Sequence, residues 1–182
     1  MKTIIAAIFL GILMHAFAKE CTLMAAASNF NSDKYFDVPH VYVTHSKNGP
    51  KEKVCREYNT TKNSDKTTST TVVTLKTGGT QSIVLSCNNS PKSGVKGQYF
   101  MDCQVPGGTG GINIQLESSI IATDNKNYAL VHFCPITGRG VTEDIVVLQT
   151  NKDNVDPGVT SAIKNYGWSL ENWKSRKDAG CQ

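Results

Sequence analysis

From residue 40 onward the chain runs in short segments of alternating or half-apolar pattern, each closed by turn-forming residues. "HVYVTHS" (40–46) alternates and ends on Lys47-Asn48-Gly49-Pro50, a strong turn signal. "EKVCREY" (52–58) follows. "KTTSTTVVTLKT" (66–77) is rich in Thr and Val, which suit a pleated, half-buried surface. It lacks proline and runs straight into Val72-Val73, unlike a glycosylated stalk, and Gly78-Gly79 breaks it. "QSIVLSC" (81–87) is bounded by Asn88-Asn89-Ser90-Pro91, and "GQYFMDCQV" (97–105) by "PGGTGG". "INIQLESSIIAT" (112–123) precedes Asp124-Asn125-Lys126-Asn127, and "YALVHFC" (128–134) precedes Pro135 and Gly138. "EDIVVLQT" (143–150) closes the series.

Eight such segments at regular spacing predict an all-β antiparallel barrel or sandwich. No alternation of strands with helical segments appears, which argues against a parallel α/β fold. After Asp156-Pro157-Gly158 the period changes. Val159, Ile163, Tyr166 and Leu170 fall at helical spacing, with Gly167 as a point for a kink or a division into two short helices. A helix with one apolar stripe must dock on something, and the outside of a barrel is the available surface. Eight strands is also the number at which a barrel holds one small ligand.

The N-terminus belongs to a different class. "MKTIIAAIFLGILMHAFA" has a basic Lys2, an apolar run from Ile4 to Met14 and a small-x-small ending at Ala16-Phe17-Ala18. It reads as a secretory signal peptide over residues 1–18, leaving a single domain over 19–182. The apolar run is far short of the roughly 20 residues that span a bilayer. The formal net charge of the whole chain is +4, and its basic residues are dispersed. That excludes an electrostatic case for nucleic acid.

All six cysteines, Cys21, Cys55, Cys87, Cys103, Cys134 and Cys181, follow the leader. An even count in a secreted chain predicts three disulfides, and six cysteines allow 15 pairings. Zinc sites use close pairs such as C-x-x-C, and none is present. Asn59-Thr60-Thr61 and Asn88-Asn89-Ser90 are glycosylation sequons, expected on turns or exposed strand edges.

Chemistry-bearing motifs are few. His40 and His45 are five apart, an odd spacing that sends them to opposite faces of a regular strand, which only a bulge would overturn. No metal pair is expected there. Gly-x-Ser-x-Gly is absent. "PGGTGG" (106–111) lacks the Lys-Ser or Lys-Thr and the helix of a phosphate loop, and reads as a hairpin tip. Asp144 shares strand parity with Val146 and Leu148, which are expected inside. A carboxylate near the barrel end would orient a cationic ligand or bind a partner; the plain alternative is a solvated strand-end acid.

"ATDNKNYALVHFC" (122–134) resembles the second lipocalin signature, with Thr123-Asp124 opening the turn and Tyr128-Ala129 the next strand. "NFNSDKYFDVPHVYVTHSKNGP", "NYALVHFC" and "VLQTNKD" resemble the salivary lipocalins of blood-sucking bugs, the triabin and nitrophorin group. "KVCREY", "TTKNSD", "PKSGVKGQ", "VPGGTGG" and "DPGVTS" resemble in particular its pallidipin and triafestin type. The resemblance implies an eight-stranded antiparallel lipocalin (calycin) barrel with a C-terminal α-helix. Two departures stand out. Val38-Pro39-His40-Val41-Tyr42 lacks the family's G-x-W, and Thr150 stands where an Arg usually follows the last strand. The barrel closure is therefore expected to pack differently.

The resemblance further implies the pairs Cys21–Cys134 and Cys55–Cys181, leaving Cys87–Cys103. With Cys134 facing outward to its bridge, His132 would be a structural surface histidine, while Val131 and Phe133 line the interior beside Val146 and Leu148. Haem-binding relatives need an axial histidine on a strand well after the second cysteine. Residues 56–79 contain none, so no haem or other cofactor is expected. The implied business is impairment of host haemostasis by a secreted salivary monomer that is not an enzyme. Capture of contact-phase plasma proteins, factor XII and high-molecular-weight kininogen, would suppress kallikrein–kinin activation; the polar strands and hairpin tips lean toward this. The alternative is inhibition of collagen-induced platelet aggregation, by surface blocking or by sequestering a small agonist such as an eicosanoid or nucleotide. An allergen-like carrier is a third class.

Overall fold

The computed structural model describes residues 21–50, 53–65, 67–76, 82–105, 113–137 and 142–181. The leader expected over 1–18, the Gly78-Gly79 break, the "PGGTGG" tip and Gly138 lie outside the described residues. Eight strands carry the fold: β1 (His40–Ser46), β2 (Val54–Lys62), β3 (Thr68–Lys76), β4 (Ser82–Pro91), β5 (Gln98–Gln104), β6 (Asn113–Thr123), β7 (Tyr128–Thr137) and β8 (Asp144–Gln149). Each pairs antiparallel with its sequence neighbour from β1 to β8, except that β8 turns back to β1. The pairing of β1 with β2, through His40–Asn59, Val41–Tyr58 and Tyr42–Glu57, closes the sheet into a barrel.

Several boundaries differ from the sequence expectation, each for a local reason. Asn88-Asn89-Ser90-Pro91 is not a turn: β4 runs through it, with Asn88 opposite Asp102 and Pro91 opposite Tyr99. The turn lies beyond, where Gly94 and Gly97 take φ of 77° and 79°, a region that favours glycine. Asn89 tolerates the ladder because its side-chain amide donates to Thr68 Oγ1 at 2.9 Å and Thr70 Oγ1 at 2.8 Å on β3. β2 likewise extends past Tyr58 to Lys62, and Thr60 and Thr70 join their hydroxyls across the pair at 2.9 Å.

The two faces of the barrel wall both bury apolar surface. Inside, Val43, Tyr58, Val72, Met101, Ile120, Val131, Phe133, Val146 and Leu148 form one core. Outside β6–β8, Ile121, Leu130, Ile145 and Val147 meet α2 (Pro157–Asn165) through Val159, Ala162 and Ile163. Fully burying such a residue stabilises by about 1.5–3 kcal/mol, which explains why a nine-residue helix holds its place. Asp156 caps α2 by accepting from Gly158 N at 2.7 Å, and Pro157 occupies the first turn, where its missing N–H costs nothing. The helix stops before Gly167, which takes φ of 68°. A 3-10 turn (Leu170–Asn172) and a two-residue β9 (Lys174–Ser175) follow. β9 pairs with β1 at His45 and Ser46, where β2 has diverged.

The segment before β1 has an architecture the hydrophobic pattern did not disclose. Residues 21–31 lie along β6–β7, where Ala27 N donates to Ile120 O at 2.8 Å. Asn29 and Asn31 then clasp the β6–β7 turn: Asn31 N donates to Asn125 Oδ1 at 2.8 Å, and Asn125 Nδ2 to Asn29 O at 2.9 Å. A single helical turn, α1 (Ser32–Tyr35), places Tyr35 and Phe36 against Phe30 and Tyr99 in a cluster of tilted and edge-on aromatic rings. Cys21–Cys134, Cys55–Cys181 and Cys87–Cys103 are the three disulfides. The first two fasten the chain before β1 and the tail after β9 to the barrel.

Candidate functional site

The barrel interior holds a cavity with about 70 Å³ of free space. Inward-facing side chains of a closed barrel converge on its axis, so the strand-borne wall of this site follows from strand parity. Val41 from β1, Val131 and Phe133 from β7 and Leu148 from β8 form the apolar wall. Tyr35, Phe36, Tyr58 and Tyr99 add aromatic surface. Thr60, Thr70, Asn89 and Ser118 supply neutral polar groups. Lys126 and Asn127 of the β6–β7 turn are exposed, so that end of the cavity reaches solvent. No Asp or Glu lines it, and Lys126 is its one formal charge among the described residues.

The phenols stay neutral at physiological pH. Burial, reinforced by the neighbouring Tyr99 and Tyr58 hydroxyls, raises Tyr35 far above its ordinary value. Burial pushes Tyr99 up to about 12. It also raises Tyr58, against an opposing pull from Arg56. Among the described residues none of the three hydroxyls has a hydrogen-bond partner. Asn89, only 5% exposed, spends its amide N–H groups on Thr68 and Thr70 while its Oδ1 is buried without a partner. The cavity thus presents an apolar wall, O–H donors and one unfilled acceptor.

Three of the five residues expected to meet a ligand, Val131, Phe133 and Leu148, line this cavity. Val146 is fully buried but does not line it. Asp144 shares the inner face with Val146 and Leu148, as expected, but does not line the cavity and is occupied: it accepts from Ser46 Oγ at 2.6 Å, Asn48 N at 2.9 Å and Arg56 Nη2 at 3.3 Å. It is neither a solvated acid nor an open counter-ion for a ligand; it joins β8 to β1, the turn after it and β2.

The histidines need two corrections. A bulge between Val43 and His45 shifts the register, so His45 sits opposite Val147, a residue of the outer face. His40 and His45 therefore share the outer face, against the odd-spacing argument. They still act separately. His40 Nε2 contacts Glu57 Oε2 at 3.2 Å, and His45 Nδ1 contacts Thr44 Oγ1 at 3.3 Å. Burial lowers the pKa of His45, against an opposing pull from Asp178. His132 faces outward but is not a surface residue: it is 1% exposed, covered by the segment carrying Met24. Cys21, His132 and Cys134 lie within ligand distance of one another, yet both sulfurs are spent in a disulfide and offer no thiolate to a metal.

The missing G-x-W has a visible substitute. Val41 enters the cavity, while Tyr42 turns outward beneath the Arg176 guanidinium, 4.8 Å from its ring. Arg176 Nη2 in turn donates to Glu57 Oε1 at 2.7 Å, so the tail braces the β1–β2 seam that closes the barrel. Asn59 and Asn88 are both exposed, on β2 and β4.

The profile of the triabin family matches residues 14–162. The chain belongs to the triabin family. Among full-length relatives of this triabin, pallidipin of Meccus pallidipennis is 59% identical, covering 100% of this chain and 98% of the relative. The platelet inhibitor triplatin-2 of Triatoma infestans is 46% identical over 100% of both. Triafestin-2 of the same species is 32% identical, covering 100% and 94%. The tryptamine complex of the amine-binding protein of Rhodnius prolixus superposes with a TM-score of 0.75 at 22% identity, covering 90% of each chain. A leukotriene C4 complex of the protein LTBP1 superposes at 0.61 and 20% identity, covering 82% of this chain and 88% of that one. These two establish the lipocalin-like barrel.

Sequence reasoning missed Tyr35, Phe36, Tyr99 and Asn89. The aromatic spacing in "NFNSDKYFD" was a usable signal for the first two. For Asn89, the signal was the inner row Thr68, Thr70 and Val72 on β3, which leaves polar partners inside the barrel.

Proposed function

We propose that this triabin is a secreted, non-enzymatic binder that restrains host platelets by taking a small amphipathic agonist into its barrel. One observation carries the reading: a closed barrel whose cavity is apolar, lined by neutral hydroxyls and, among the described residues, by no carboxylate and one exposed lysine. Apolar walls with a few convergent polar groups are the ordinary form of a small-molecule site. A cationic amine lacks a counter-ion there. A lipid acid such as an eicosanoid matches, its chain against Val131, Phe133 and Leu148 and its carboxylate toward Lys126. The named platelet inhibitor at 46% identity over both full lengths supports the biological direction.

The free space of about 70 Å³ is below the roughly 300 Å³ at which drug-sized sites begin. Admission of a lipid therefore requires the aromatic groups at the end of α1, Tyr35 and the capping Phe36, to move outward. Capture of factor XII and kininogen, implied by the triafestin likeness, ranks second because that likeness is weaker, at 32%. Parallel assays separate the two. Reduced aggregation of washed platelets with normal contact-activated clotting supports sequestration. Prolonged clotting with normal aggregation supports the contact-phase reading, and no effect in either leaves a carrier.

A further inference from the structure

We propose that Asn89 is the specificity residue of the cavity, and that its Oδ1 selects ligands carrying a hydroxyl on their apolar body. The inference rests on the lipid-acid reading and names the chemistry the site discriminates. Asn is a poor strand residue, yet Asn89 sits in the β4 ladder opposite Met101, on the inner face. The neighbouring sequon does not require it: Asn88 and Ser90 satisfy that motif, and its middle position is free.

The amide orientation follows from donor and acceptor arithmetic. Two amide hydrogens match two threonine oxygens on β3, leaving one acceptor over. The flipped amide would strand two donors instead of one acceptor. Thr70 Oγ1 is engaged with Thr60 as well, which holds the row in place. Buried carbonyl oxygens are rarely left unpaired, and one that is calls for an explanation, of which a partner from outside the chain is one. Asn89 Oδ1 accepts and cannot donate, so the partner must bring an N–H or O–H. No carboxylate lines the cavity among the described residues, which disfavours an ammonium, and on a lipid acid the neutral donor that remains is a hydroxyl. An unsubstituted hydrocarbon chain laid against Asn89 would bury the oxygen without satisfying it, so the site rejects such chains by the same atom.

The test uses titration calorimetry with two probes of equal length, arachidonic acid and its monohydroxylated derivatives. The wild-type protein is expected to bind one hydroxylated isomer about tenfold more tightly, the effect of one neutral hydrogen bond in a dry site. Asn89→Leu should abolish that preference while still binding arachidonic acid, with unchanged near-ultraviolet circular dichroism as the folding control. Asn89→Val, suited to a strand, serves if the leucine variant does not fold. Equal affinity of the wild type for both probes, or a preference that survives in the variant, would overturn the assignment and leave the lipid-binding reading standing. Binding of neither probe would overturn both.

Discussion

His132 Nδ1 accepts the backbone N–H of Met24 at 3.1 Å, binding the N-terminal strap to the outer face of β7. That bond fixes the ring: with Nδ1 accepting, Nε2 carries the hydrogen and donates to Glu143 Oε1 at 2.9 Å. Replacing the ring leaves the Met24 N–H beneath the strap without its acceptor. His132→Leu is expected to destabilise the fold by about 1–3 kcal/mol, the cost of an orphaned, partly buried group. Urea unfolding checks this, and an unchanged midpoint would show that the strap does not depend on the histidine.

Asp144 separates stability from binding. Its removal leaves Arg56 facing Ser46 without a carboxylate in a largely buried setting. Asp144→Ala is expected to cost about 3 kcal/mol in unfolding free energy, as for other broken buried pairs. Lipid affinity, measured at a temperature where the variant stays folded, should remain within twofold or so, because the carboxylate does not line the cavity.

Ligand entry should be visible in the tyrosines and silent in the tryptophans. Tyr35, Tyr58 and Tyr99 line the cavity, whereas Trp168 and Trp173 pack with α2 on the outside. Saturation with a lipid acid is expected to change the near-ultraviolet tyrosine bands and to alter amide exchange at Tyr35 and Phe36, while tryptophan fluorescence holds steady. A tryptophan response without a tyrosine response would place the ligand outside the barrel.

The β6–β7 turn supplies an acid-sensitive element. Burial acts to raise the Asp124 pKa, but the N–H groups of Lys126, Tyr128 and Asn127 and the Asn127 side chain outweigh it and hold the carboxyl below its ordinary value. A depressed pKa contributes stability that is complete above the unfolded value of about 3.9 and is lost as pH falls through the folded one. Asp124→Asn should therefore show a flatter melting profile between about pH 5 and pH 2 than the wild type. Parallel profiles would show that the turn does not titrate with the fold.

The strands were legible because alternation survives in any wall with one buried face. β7 and β8 remained readable although both their faces are buried, as continuous apolar runs bounded by turns. The failures arose where a side chain took over the work of the backbone. Asn88-Asn89-Ser90-Pro91 has turn composition, but threonine hydroxyls across the ladder accept both amide hydrogens of Asn89 and keep it in β4. The His40–His45 parity failed at a bulge that no local residue type announces. His132 looked like a surface group because its cover, residues 21–31, has no periodicity and docks by hydrogen bonds and a disulfide. The cavity wall was readable at Val131, Phe133 and Leu148; its polar anchor was not, since an unpaired oxygen leaves no pattern in sequence.

Sequestration differs from receptor blocking in its stoichiometry. The decisive measurement is aggregation of washed platelets by a lipid agonist, titrated at several fixed concentrations of the protein. Sequestration predicts that the agonist threshold rises by one mole per mole of protein and that excess agonist restores full aggregation. Inhibition that persists at saturating agonist, or a threshold that does not move with protein concentration, would contradict it.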